Sequence, residues 1–145
     1  MYKIAFFTEG GYSGKVPRNH PNMRTELAWM SALGADHYNI HSNNLKESYD
    51  LGVCIIPKKN PNLHKIQSMC RKVASMQEGP NWYWQDYSLP QQIWYYNTIQ
   101  ECDFMFVHNE SDKKYYEGLT SKECIVLPSL MIEDSIQNLP SLKRE

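Results

Sequence analysis

Short apolar runs alternate with helical patterns from Ile4 to Leu127, and this order constrains the chain more than any single motif. Ile4–Thr8, Leu51–Ile56 and Phe104–Val107 read as buried strands, each a compact apolar run. His37–His41, Val73–Met76 and Ile125–Leu127 are further strand candidates. Between them, Met23–Leu33 carries Met23, Leu27 and Met30 at helical spacing and meets a stop at Gly34. Leu63–Arg71 has Leu63, Ile66 and Cys70 on one helical face. Ser88 and Gln91 stand at capping-box spacing ahead of an apolar stripe of Leu89, Ile93 and Tyr96. Ser111–Glu117 reads as a short helix closed by Gly118. Apolar strands alternating with helices imply a parallel sheet covered on both faces. The expected fold is a single three-layer α/β/α domain with a mostly parallel sheet of about six strands, the first and fifth near its centre.

At 145 residues the chain fits one domain, and that length buries roughly 68–70 % of the unfolded surface without metal or disulfide support. Fifteen basic against sixteen acidic residues give a formal charge of −1. Such a balance lacks the basic footprint of a protein that grips nucleic acid along its whole surface, though a local basic patch stays open. The four cysteines lie sixteen or more residues apart with no C-x-x-C pair, which removes zinc-ribbon and thioredoxin-like readings. The five histidines show no metal spacing with Cys or Asp, so no metal is assigned. No run approaches the roughly 18 apolar residues of a membrane span, and the N-terminus lacks a signal-peptide stretch. A reducing cytoplasm is the default compartment.

In an open parallel sheet, ligands bind in the loops beyond the carboxyl ends of the strands. Three such loops carry polar chemistry. The first is Glu9-Gly10-Gly11-Tyr12-Ser13-Gly14-Lys15, where glycines let backbone N–H groups approach an anion and Lys15 and Arg18 add charge. It is not a P-loop, because the glycine spacing is one residue short and Val16 stands where Ser or Thr would bind magnesium. The dinucleotide fingerprint fails as well, since Glu9 occupies its first glycine position. A loop without any ligand is the plain alternative. The second loop, Gln77 to Tyr87, sets Trp82 and Trp84 beside carboxylates and amides. Aromatic faces with such neighbours suit a sugar ring or a base; equally, the tryptophans can pack under the following helix. The third loop, from His108 and Asn109 to Asp112, offers His108 as a base, a phosphate donor or a structural hydrogen-bond partner.

The opening Lys3 to Lys15, the segment Met76 to Ser88, and His108 to Tyr116 running on to Asp134 together resemble the N-terminal half of GT-B type glycosyltransferases, especially those encoded by tailed phages. The resemblance covers nearly all of the chain. It implies a Rossmann-like domain over residues 1–130, with 131–145 a polar tail or the start of an interdomain linker. It also implies a nucleotide-sugar donor of the UDP-sugar type, with no tightly bound cofactor and often no metal. The hydroxyl acceptor would belong to a modified DNA base or a glycan. In that family the first domain mainly receives the acceptor and a second domain mainly binds the donor. A chain ending at the linker lacks that second domain, so transfer by it alone is not expected. For a phage-encoded member the compartment is the host cytoplasm. A non-catalytic nucleotide- or sugar-binding module, or an interaction domain reusing the fold, remains the alternative.

Inverting sugar transfer needs a base that takes the acceptor proton within about 2.6–3.2 Å or through one water, whereas retaining transfer can proceed without one. Glu78, just after the fourth strand and before Gly79-Pro80, is the first candidate, followed by Asp86 and His20. The competing role for Glu78 is to cap neighbouring backbone. Gly10, Gly11, Ser13, Gly14, Lys15, Arg18, Trp82, Trp84, His108 and Asn109 are the expected binding residues.

Overall fold

The computed structural model describes residues 1–8, 14–15, 25–41, 45, 47–55, 62–77 and 83–130. In chain order these form β1 (Ile4–Thr8), β2 (Gly14–Lys15), α1 (Thr25–Leu33), β3 (Asp36–Asn39), β4 (Tyr49–Ile55), α2 (Leu63–Met69), β5 (Cys70–Met76), α3 (Tyr83–Asp86), α4 (Leu89–Glu101), β6 (Phe104–Val107), α5 (Glu110–Thr120) and β7 (Cys124–Val126). One sheet runs β2-β3-β1-β4-β5-β6-β7. Every neighbouring pair is parallel except the two-residue β2, which lies antiparallel on β3 with Lys15 opposite Asp36. The fold is therefore the expected Rossmann-like α/β domain, six parallel strands with a short antiparallel edge.

Helices cover both sides. Leu27 and Met30 of α1 pack on Phe6, Val53, Ile55 and Met76. On the opposite side, Leu63 and Ile66 of α2, Tyr95 and Ile99 of α4 and Tyr116 of α5 pack on Ala5, Phe7, Cys54, Val73, Met105 and Val107. Alternation along β1 sends Phe6 to one core and Phe7 to the other, as the pleat requires. The division follows from connection handedness. The β1–α1–β3 crossover moves one way along the sheet and the β4-to-β7 crossovers move the other, so right-handed connections put their helices on opposite faces. Those outward steps also place β4 in the middle of the sheet. β1 is interior beside it, while β6 is next to the β7 edge, farther from the centre than expected.

Local signals account for several boundaries. Gly34 takes φ +60°, with Ala35 N–H bonded to Met30 O and Gly34 N–H to Ser31 O, a Schellman end for α1. Ser88 and Gln91 form the expected capping box of α4. In α5, Asn109 is the N-cap, its Oδ1 accepting from Asp112 N–H. The expected stop at Gly118 does not operate. α5 runs on to Thr120, because Tyr116 and Thr120 bury one face and Ser121 supplies the left-handed cap. Burying that face outweighs the roughly 1 kcal/mol that a helical glycine costs.

The expected packing stripe of α4 is also corrected. Leu89, Ile93 and Tyr96 are exposed, and the buried face is Tyr95, Thr98 and Ile99. Both stripes have helical spacing; the sheet and α5 select the second.

Candidate functional site at the carboxyl end of the sheet

The sheet order reverses between β1 and β4, and in such folds the crevice beyond that reversal is where ligands sit. β1, β4 and β5 deliver the chain to this end at Thr8, Ile55 and Met76. Gly10, Gly11, Ser13, Arg18, His20, Glu78 and Trp82 follow these strand ends in sequence and lie outside the described residues, as do residues 131–145.

The described part of this end is a polar network joining β5, β6, α5 and the chain after β7. Gln77, which directly follows β5, is buried. Its Nε2 donates to Asp112 Oδ2 at 2.8 Å, and its Oε1 accepts from His108 N–H at 3.3 Å. Asn109 Nδ2 donates to the same Asp112 oxygen at 3.0 Å. Asp112 is buried too, so these donors replace the water it has lost. Asn109 is thus occupied on both sides of its amide as the cap of α5.

His108 extends the network across the sheet. Its Nδ1 faces Leu127 O at 3.3 Å and its Nε2 faces Gln77 O at 3.1 Å. Carbonyl oxygens only accept, so a neutral ring with one N–H serves one contact and an imidazolium serves both. Of the alternatives for His108, the structural partner describes these contacts. Trp84 is half-buried and tilts against Tyr95 of α4 with ring centroids 5.5 Å apart, while Tyr87 meets the same ring edge-on at 6.1 Å. Gln92 Nε2 bonds the backbone oxygens of Trp84 and Tyr87, fixing α3 to α4. The packing alternative therefore fits Trp84. Asp86 closes α3 in an exposed position.

Lys15 is placed elsewhere. Gly14 and Lys15 run antiparallel to the start of β3, and Lys15 Nζ pairs with Asp36 at 2.9 Å, at the amino end of that strand. Burial alone would raise the Asp36 carboxyl, but hydrogen bonds from Lys15 and Tyr49 outweigh it and hold the pKa below the ordinary value. Lys15 is thereby drawn away from the carboxyl-end loops. An exposed ammonium takes the nearest half-buried carboxylate.

Reasoning from sequence missed Gln77 and Asp112 as a pair, although Asn109 and Asp112 at cap spacing marked one half of it. It also missed the buried contact between Thr8 Oγ1, the last residue of β1, and His37 Nε2 at 2.5 Å. Burial lowers the His37 pKa. Burial pushes the thiols of Cys70 and Cys124 up to about 11 and that of Cys102 to about 12, which disfavours the nucleophilic thiolate at these three positions. Among the described residues no group of three or more His, Cys, Asp or Glu side chains could hold a metal ion, and no helix is long and apolar enough to cross a membrane.

A trough of about 340 Å³ lies at the opposite, amino-terminal end, over Ile4, Leu51 and Phe104. Its rim cations are already paired, Arg71 with Asp50 at 3.8 Å and Lys72 with Asp103 at 3.9 Å. Compared with protein-family models, curated proteins and solved structures, the chain has no match in any of the three.

Proposed function

We propose that this chain is the acceptor-side half of a GT-B type glycosyltransferase, which moves a sugar from a UDP-sugar type donor to a hydroxyl on a glycan or a modified DNA base. The observation that carries the reading is the reversal of strand order between β1 and β4 in a parallel sheet. The polar segments following β1 and β5 start at the same end of that sheet, where ligands bind in such folds. The proposed base is Glu78, directly after Gln77.

The Gln77–Asp112–Asn109–His108 network favours a second reading, a nucleotide- or sugar-binding module without transfer. His108 and Asp112 make hydrogen bonds that hold strand and helix ends together. Calorimetric titration separates the two. An oligosaccharide panel and a DNA duplex with hydroxymethylated bases test for acceptor, while UDP and UDP-sugars test for donor. Acceptor binding stronger than nucleotide binding supports the acceptor-side half. Nucleotide binding without acceptor binding supports the module, and no binding of either kind overturns both.

A further inference from the structure

The two faces of the sheet are unequally covered. Among the described residues α2, α4 and α5 pack on one face and α1 alone on the other. A parallel sheet is ordinarily buried on both sides. On the α1 side, Phe6 and Val53 pack against Leu27 and Met30. Farther along the sheet, Phe104 and Phe106 of β6 and Ile125 of β7 share that face, because Phe106 stands in register with both Met76 and Ile125. The two phenylalanines are half-buried with ring centroids 5.2 Å apart, and Ile125 is 39 % exposed. At the amino end this apolar strip opens into the trough over Ile4, Leu51 and Phe104.

The chain itself is delivered to the strip. Leu127, directly after β7, packs against the α1-side core. The next carbonyl, Pro128 O, accepts from Trp29 Nε1 of α1 at 2.9 Å. The chain therefore leaves β7 on the α1 side, at the carboxyl end of the sheet, with residues 131–145 still to follow.

Those residues lie outside the described ones, and their sequence fits the strip. Residues 131–139 read MIEDSIQNL. Ile132, Ile136 and Leu139 follow i, i+4, i+7 spacing, and helical geometry sets Glu133, Asp134, Gln137 and Asn138 on the opposite side. Acidic residues stand where a helix would start and Pro140 where it would stop. Nine helical residues span about 14 Å, and the four residues of β6 span about 13 Å. Helices pack about 8–10 Å apart and strands about 4.8 Å apart, so a helix beside α1 falls two strands beyond it, over β6. The charges rimming the trough are already paired, Arg71 with Asp50 and Lys72 with Asp103, which suits an uncharged stripe.

We infer that residues 131–139 dock as a helix on the α1 side of the sheet, with Ile132, Ile136 and Leu139 against Phe104, Phe106 and Ile125. The docked segment completes the second helical layer, and a tail or linker begins only at Pro140. The inference does not depend on the proposed activity.

Isotope-edited NMR on the full chain tests it, with a mixture of differently labelled copies separating contacts within one chain from contacts between two. Within one chain, the Phe104 and Phe106 rings are expected to contact the methyl groups of Ile136 and Leu139. Ile136→Asp should remove these contacts and raise binding of an apolar dye several-fold, while the amide signals of α2, α4 and α5 are retained. Ile136→Ser covers the case in which the aspartate disturbs the fold. Asn138→Lys, on the polar side, should leave the contacts intact. Absence of the contacts overturns the inference. So do contacts found only between copies, which would give the face to a second chain. Contacts that survive both Ile136 variants, or that Asn138→Lys removes equally, overturn it as well.

Discussion

Gln77 Nε2 donates to Asp112 Oδ2 at 2.8 Å, so a strand end and a helix start 35 residues apart share one buried carboxylate. Gln77→Leu keeps the apolar bulk and removes that donor. A hydrogen bond to a charged group contributes about 1.5–3 kcal/mol, and the variant should lose that much stability in urea unfolding. A loss under about 0.5 kcal/mol would assign the carboxylate's support to Asn109 instead.

Gly52 is required by close approach. A Cβ there would stand 2.8 Å from Cys70 Sγ and 3.3 Å from Phe7 Cε2. Gly52→Ala should cost about 1–3 kcal/mol, the range for overpacked cores. Adding Cys70→Ala removes the nearest atom, so the double variant should be more stable than the two single losses predict. A coupling of about 0.5 kcal/mol or more in the double-mutant cycle would confirm contact at this point, and strict additivity would deny it.

Acid should destabilise the fold through His37. Burial lowers its folded pKa below the ordinary 6.5, so the unfolded chain binds more protons just under that pH. The contribution is complete above about pH 6.5 and is lost as pH falls from there toward the folded pKa. His37→Gln should flatten the stability profile in that window relative to the parent chain. Equal slopes in both proteins would show that another group titrates.

Ser75 is fully buried in β5, and among the described residues its Oγ has no hydrogen-bond partner. Burying an unpaired hydroxyl is unfavourable. Ser75→Ala is therefore expected to leave stability unchanged or raise it by up to about 1 kcal/mol. A clear loss in thermal or urea unfolding would mean that the hydroxyl has a partner, such as a buried water.

Lys15 and Asp36 form an ion pair whose lysine side chain is 66 % exposed. Lys15→Ala should change stability by no more than about 1 kcal/mol. Because the pair stands at the amino end of β3, the same variant should leave nucleotide and acceptor affinities within about twofold of the parent, below the 1.4 kcal/mol that a tenfold change represents. If the proposed function holds, Gly11→Val, three residues after β1 in sequence, should weaken binding of a UDP-sugar by this chain. A large loss from Lys15→Ala would return that lysine to the ligand site.

By itself, the sequence determined the features whose causes are local. Apolar runs set the strand cores, with Ile4–Thr8 and Phe104–Val107 matching residue for residue. Gly34 ended α1 because it can adopt a positive φ, and Ser88 with Gln91 started α4 because their side chains satisfy backbone groups within one turn. Tertiary structure decided what depends on distant neighbours. α4 carries two apolar stripes, and only the position of the sheet and α5 buries Tyr95 and Ile99 while Leu89 and Ile93 face outward. Gly118 stayed helical because Thr120 had a core to enter. Lys15 went to Asp36, and His108 met carbonyls from β7's exit and from Gln77, contacts between residues 19 or more positions apart. Spacing along a chain shows which side chains share a face; which face is buried, and which polar group finds which partner, depends on elements that meet only on folding.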